Sequence, residues 1–257
     1  MLYIIIFIGL LVVAVLGFSK LKSKKAASFP NHWLSILEEE VLFYRRLSEE
    51  SKSIFRHRMM LFLVEVHIDA VKTTLQDLDK ILIASSAVIP VFGFKEWHYN
   101  RLSGIILYPD TFNHNLEFAK TSENRQILGM VGSGQFENQM LLSRKALRKA
   151  FSNETDKFNT PIHEFIHLID KEDHHIDGIP EVIMPKEYIE PWLELMYKEI
   201  DAIYNGESDI RPYATTNQAE FLAVTSEYFF ERPALFKENH PELFEILERT
   251  FQQPKIK

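Results

Sequence analysis

The chain has 257 residues, 46% of them hydrophobic, with 29 basic against 36 acidic side chains and a formal charge of -7, which is material for one large compact domain or two small ones. The acidic balance, without a basic stripe interleaved with aromatics, excludes nucleic acid as a partner. The absence of cysteine excludes disulfides, thiolate ligands and a cysteine nucleophile, so any metal has to be held by His, Asp or Glu.

Leu2 to Phe18 (LYIIIFIGLLVVAVLGF) carries no charge and falls at the short end of the roughly 17–25 residues that cross a bilayer as a helix. A cleaved signal peptide needs a basic stretch before the apolar run and a small-residue cleavage site after it. Neither is present, and Lys20, Lys22, Lys24 and Lys25 follow the run instead. Positive flanks stay on the cytoplasmic side. Residues 1–18 are therefore expected to form a single-pass transmembrane anchor in the membrane, residues 19–30 a basic juxtamembrane linker, and residues 31–257 a cytoplasmic body.

Within that body, Ser48 followed by Glu49 and Glu50 reads as a helix N-cap with acid in the first turn, leading into Ile54, Met59, Phe62 and Leu63. Asp77 to Ile89 reads as a second helix, stopped by Pro90. Two β-type runs follow: Gly104 to Tyr108 (GIILY), closed by Pro109 and Asp110, and Gln139 to Ser143 (QMLLS), preceded by turn material from Gly129 to Gly134. Gln139 to Ser143 is a candidate edge strand to which an extended peptide could add, or an ordinary sheet strand. From about Pro161 the pattern is mostly helical, and helices flanking a small sheet give an α+β class rather than a βαβ repeat.

The chemistry centres on Thr160-Pro161-Ile162-His163-Glu164-Phe165-Ile166-His167-Leu168-Ile169-Asp170. Thr160 as N-cap and Pro161 as first helical residue predict a short helix, with Ile162, Phe165, Ile166 and Ile169 as its buried stripe. His163 and His167, four apart, stand on an adjoining stripe and can converge on one ion. Glu164 sits beside them in the H-E-x-x-H arrangement, where it takes a proton from metal-activated water and later hands it to the leaving amine. Asp170, one turn on, is a candidate acceptor behind a histidine or a helix-end cap.

A third ligand has three candidate sources. The extended H-E-x-x-H-x-x-G-x-x-H pattern would put it at Asp173, but Asp170 occupies the glycine position and makes the sharp turn doubtful. His174 and His175 are out of register and belong to a polar loop. Glu220 and Glu227, on a predicted helix from Asn217 to Phe230, are the other two; seven apart, they stand about 10 Å apart along one helix and cannot both reach one ion.

HEFIHLID, then Asp177-Gly178-Ile179-Pro180, then Tyr213 to Phe230 (YATTNQAEFLAVTSEYFF) resemble the MtfA-type (Mlc titration factor A) zinc metallopeptidases. The likeness extends through Leu107-Tyr108-Pro109, Gln139 to Ser143 and Phe251-Gln252-Gln253-Pro254. That family is in turn similar in its metal site to the catalytic domain of anthrax lethal factor. The resemblance implies a zincin-like domain binding one Zn2+ ion, with the third ligand on Glu220, the transition-state-stabilising position on Tyr213, and a peptide or protein as substrate. A phenol in that role would donate to the oxyanion as the carbonyl becomes tetrahedral. The family name also implies an alternative, a regulatory protein that captures a partner such as a transcriptional regulator and holds its zinc structurally. The apolar N-terminal run is not part of the family's pattern.

Overall fold

A computed structural model describes residues 26–110, 128–132, 138–152 and 156–253. The expected anchor over residues 1–18, the linker lysines and Gly134 lie outside these residues. Among the described residues no helix is long and apolar enough to cross a membrane.

Three helices open the body: α1 (Trp33–Glu40), α2 (Leu42–Arg45) and α3 (Glu49–Glu65). Ser48 caps α3 as its sequence predicts, its side chain accepting from the Ser51 amide at 3.2 Å. Phe55, Met59, Met60 and Phe62 form the buried face, while Ile54 turns outward and is 44% exposed. Helix α4 (Asp77–Val88) starts in a capping box between Gln76 and Asp79 and ends before Pro90. Every residue from Ile81 to Val88 is buried, so α4 is the central helix against which the others pack. Asp79, fully buried, is paired with Arg144 and Arg148 at 2.8 and 2.9 Å. That pair ties α4 to α5 (Arg144–Ser152); a carboxylate buried this deeply is tolerated because both of its oxygens are matched.

The sheet has four strands in the order β1-β2-β4-β3, with β1 (His67–Ala70), β2 (Gly104–Tyr108), β3 (Gly129–Val131) and β4 (Gln139–Ser143). The pairs β1/β2 and β2/β4 are parallel, and β3 runs antiparallel to β4 with Gly129 opposite Leu142. The class is α+β as expected, although β1, α4 and β2 form one parallel crossover. One expectation is corrected and one alternative decided. The segment beginning at Gly129 is a strand rather than turn material, and of the two readings of Gln139 to Ser143 the ordinary sheet strand holds, since β4 is an inner strand and β3 takes the edge among the described residues. Pairing explains both: Ser143 donates to the Leu128 carbonyl and Gly132 to the Gln139 carbonyl, each at 2.8 Å, which draws a glycine-rich segment into the ladder. With Leu128 and Gly132 bonded to β4, the backbone groups of Gly129 and Val131 point away from it.

The C-terminal half is helical: α6 (Thr160–Asp170), α7 (Ile189–Tyr204), α8 (Gln218–Glu231), α9 (Pro233–Asn239) and α10 (Pro241–Phe251). Ile162, Phe165, Ile166 and Ile169 of α6 are all buried, and Phe165 meets Phe62 and Tyr99 with ring centroids 5.7 and 5.1 Å apart. The N-cap of α6 is Asn159, one residue earlier than expected, because its side-chain oxygen accepts from the Ile162 amide at 3.0 Å.

A strap then joins the end of α6 to the start of α8. Asp170 accepts from the Gly178 amide at 2.9 Å, and the Gly178 carbonyl accepts from the Trp192 indole at 2.8 Å. Gly178 adopts φ +75°, and a Cβ there would lie 2.3 Å from the Gln218 carbonyl oxygen. Only glycine fits on both counts.

Candidate metal centre

Helices α6 and α8 pack on one another and bring the candidate ligands together. Pro161 near the start of α6 needs no amide there, and Asn159 satisfies the Ile162 amide. On α8 the N-cap is Asn217, whose side chain accepts from the Glu220 amide at 2.9 Å, so Glu220 sits in the first turn, at the open end of the helix pair. His163 Nε2 lies 3.1 Å from His167 Nε2 and 2.9 Å from Glu220 Oε2, and His167 Nε2 lies 3.6 Å from that same oxygen.

Among the described residues these three form the one group that could hold a metal ion. Ligand atoms bound at 2.0–2.1 Å to a tetrahedral ion stand about 3.3 Å apart, and the three observed separations bracket that value. Glu220 Oε2 is buried, and beside the two Nε2 atoms it has no other hydrogen-bond partner among the described residues, which suits a ligand oxygen. The donor set, two imidazoles and a carboxylate, suits zinc.

The surrounding charges favour a cation at this point. Burial pulls the His163 imidazole down, but the carboxylates of Glu227, Glu220 and Glu164 outweigh it and push its pKa up to about 10. Burial also raises Glu220, yet the adjacent His163 and His167 win and hold it below the usual carboxylate range. Glu164, 5% exposed, is raised by burial; His163 and His167 pull it back, and Glu220 and Glu227 add to the rise.

Glu227 approaches the opposite face of the same imidazole. His163 Nδ1 donates to Glu227 Oε1 at 2.6 Å, and the Asn159 amide donates to Oε2 at 2.6 Å. Arg211 donates to Oε1 as well, and its guanidinium lies 4.7 Å from the Phe158 ring and 5.6 Å from the Tyr213 ring. Hydrogen bonding at Nδ1 fixes the ring orientation and turns Nε2 to the ligand cluster. The Asn159 side chain also donates to Glu231 at 2.7 Å, a carboxyl that burial pushes up to about 8.

Tyr213 stands in a 3-10 turn, Pro212–Thr215, and its hydroxyl donates to Glu220 Oε1 at 3.2 Å. Asp173 is not brought to the cluster. Its two oxygens accept from the His175 and Glu181 amides at 2.9 and 3.2 Å, and His174, at φ +80°, contacts Arg101. Asp170 serves the Gly178 strap rather than a ligand histidine, with burial pushing its carboxyl up to about 7. Sequence reasoning missed Arg211, Asn159 and Gly129; Asn159 before Thr-Pro was a readable cap signal, whereas nothing in the spacing marks the other two.

The cluster lines a cleft of about 580 Å³ whose walls are Gly129 to Gly132 of the edge strand, α6, Arg211, Tyr213 and the start of α8. A cleft with two histidines one helical turn apart, a glutamate from a facing helix and a buried carboxylate beside them has the donor set of the mononuclear metallohydrolases. Residues 18–252 match the family model described as Glucose-regulated metallo-peptidase M90, and the chain belongs to that metallopeptidase family.

The chain is 26% identical over 231 residues to the uncharacterized protein slr2042 of Synechocystis sp., spanning 86% of this chain and 84% of that relative. It is 25% identical over 190 residues to Mlc titration factor A of Pectobacterium atrosepticum, 71% of each chain. With Mlc titration factor A of Escherichia fergusonii the identity is 30% over 182 residues, 66% of this chain and 67% of the relative. These matches bear out the MtfA-type resemblance.

Proposed function

We propose that the protein is a zinc-dependent peptidase, with His163, His167 and Glu220 holding one zinc ion, Glu164 acting as general base and Tyr213 stabilising the transition state. The observation that carries this reading is the 2.9–3.6 Å triangle of two Nε2 atoms and one buried carboxylate oxygen beside Glu164. Held by His163, His167 and Glu220, a zinc ion would supply Lewis acidity to the carbonyl and to the attacking water. Glu164, its carboxyl raised above the usual range by burial, takes the proton of the attacking water and delivers it to the departing amine. The substrate backbone adds along the outer edge of β3, where Gly129 and Val131 offer backbone groups that are unpaired among the described residues to an extended peptide.

The test is zinc analysis of the full chain together with cleavage of a peptide library. One zinc per chain is expected, with cleavage lost on chelation and restored by zinc. Cleavage indifferent to chelation would sink the reading. A second reading, capture of a regulatory protein, is favoured by the relatives' name, Mlc titration factor A; it predicts a zinc-loaded chain that cuts nothing. The buried Glu164 beside the ligands favours hydrolysis, since a structural zinc has no use for it.

Tyr213→Phe keeps the ring and removes only the hydroxyl that faces Glu220. Turnover is expected to fall by about tenfold or more, with zinc content unchanged, because the lost hydrogen bond matters most in the transition state. Loss of zinc in this variant would instead make Tyr213 a prop for the ligand glutamate.

A further inference from the structure

Gly129 is a glycine without a conformational reason. Its φ is not in the left-handed region, unlike Gly178 and Gly206, so any residue could adopt its backbone. The reason is space. A Cβ at this position would lie 2.8 Å from both Cγ and Oε1 of Glu164 and 2.9 Å from Cγ2 of Thr160. Such distances are well inside carbon–carbon contact at about 3.5–4.0 Å.

Neither partner can yield easily. The strand is held on each side of Gly129 by the 2.8 Å hydrogen bonds of Leu128 and Gly132 to β4. Helix α6 is held by Ile162, Phe165, Ile166 and Ile169, all buried. Turning the Glu164 carboxylate about its last bond would relieve Oε1 but not Cγ, so the whole side chain would have to leave its rotamer. That would carry the carboxylate away from the position beside His163 and His167.

We propose that Gly129 is a positioning residue for the general base: lacking a side chain, it lets the edge strand lie against Glu164 and lock that carboxylate beside the ligand cluster. This rests on the peptidase reading above. The same strand that presents Gly129 and Val131 to the substrate then sets the base, so substrate backbone and base are referenced to one element.

The test is Gly129→Ala in the full chain. Its kcat is expected to fall at least about tenfold, since small misplacements of a reacting group can cost about 100-fold, with KM changed less than kcat and zinc stoichiometry unchanged. A merely structural glycine would not show that split. Thermal unfolding supplies a readout independent of activity. In a Thr160→Ser background, which removes the second contact, Gly129→Ala should lower Tm by several degrees when Glu164 is present and by much less when Glu164 is replaced by Ala. Should Gly129→Ala fail to fold, recovery in the Glu164→Ala background carries the same information.

Turnover within about twofold of the parent overturns the proposal. So do zinc loss, or equal Tm losses in the two backgrounds. A parent chain that hydrolyses nothing would remove the peptidase reading, and with it the base to be positioned; the unfolding cycle would still report separately whether Gly129 and Glu164 are coupled.

Discussion

Glu164→Gln is expected to keep its zinc and its fold while peptide hydrolysis falls by at least about two orders of magnitude. The amide has nearly the volume of the carboxylate, so the contact with Gly129 and the buried environment of residue 164 are preserved. A neutral amide is also easier to bury than the carboxylate it replaces. What disappears is the ability to accept the proton of the attacking water. Metal analysis, a melting curve and kcat/KM on one cleaved peptide check the three parts of this expectation. Activity within about threefold of the parent would remove Glu164 from the chemistry.

The second large effect separates two glutamates that sequence spacing leaves open. Glu220 faces the Nε2 side of His163 and Glu227 the Nδ1 side, so they address one imidazole from opposite ends. Glu220→Ala removes a donor from a three-atom set and is expected to abolish stable zinc binding. Glu227→Ala leaves all three donors but frees the imidazole to turn, and zinc affinity should fall by about 10–100-fold. It also strips Arg211 and the Asn159 amide of their acceptor, so a lower Tm should accompany the weaker binding. Equilibrium zinc titration of both variants checks the order. Full stoichiometry in Glu220→Ala with loss in Glu227→Ala would reverse the assignment.

The parts of this molecule that sequence reveals are those built from local signals. The buried stripe of α6 was readable because apolar residues at i, i+3, i+4 and i+7 follow a proline. Strands β2 and β4 run from Gly104 to Tyr108 and from Gln139 to Ser143 as read, since each is an apolar run with turn residues beside it. Strand β3 escaped because three residues starting at a glycine carry no β signal of their own; its pairing with β4 makes it a strand. The order of the sheet, and hence which strand is the edge, is a tertiary fact with no local signature. Arg211 belongs to the same kind of fact. Its partner, Glu227, is 16 residues away, and nothing in either neighbourhood announces the pairing.

The strap through Asp170, Gly178 and Trp192 bears on what removing a metal would do to the fold. Its buried hydrogen bonds tie the end of α6 to α7, and its glycine packs on Gln218 at the start of α8, none of which involves an ion. The frame that carries His167 and Glu220 thus has protein contacts of its own. Small zinc domains differ, because there the ion organises the chain and its removal unfolds them. Here the contacts of the strap need no ion, so removal of a bound metal is expected to leave the fold standing.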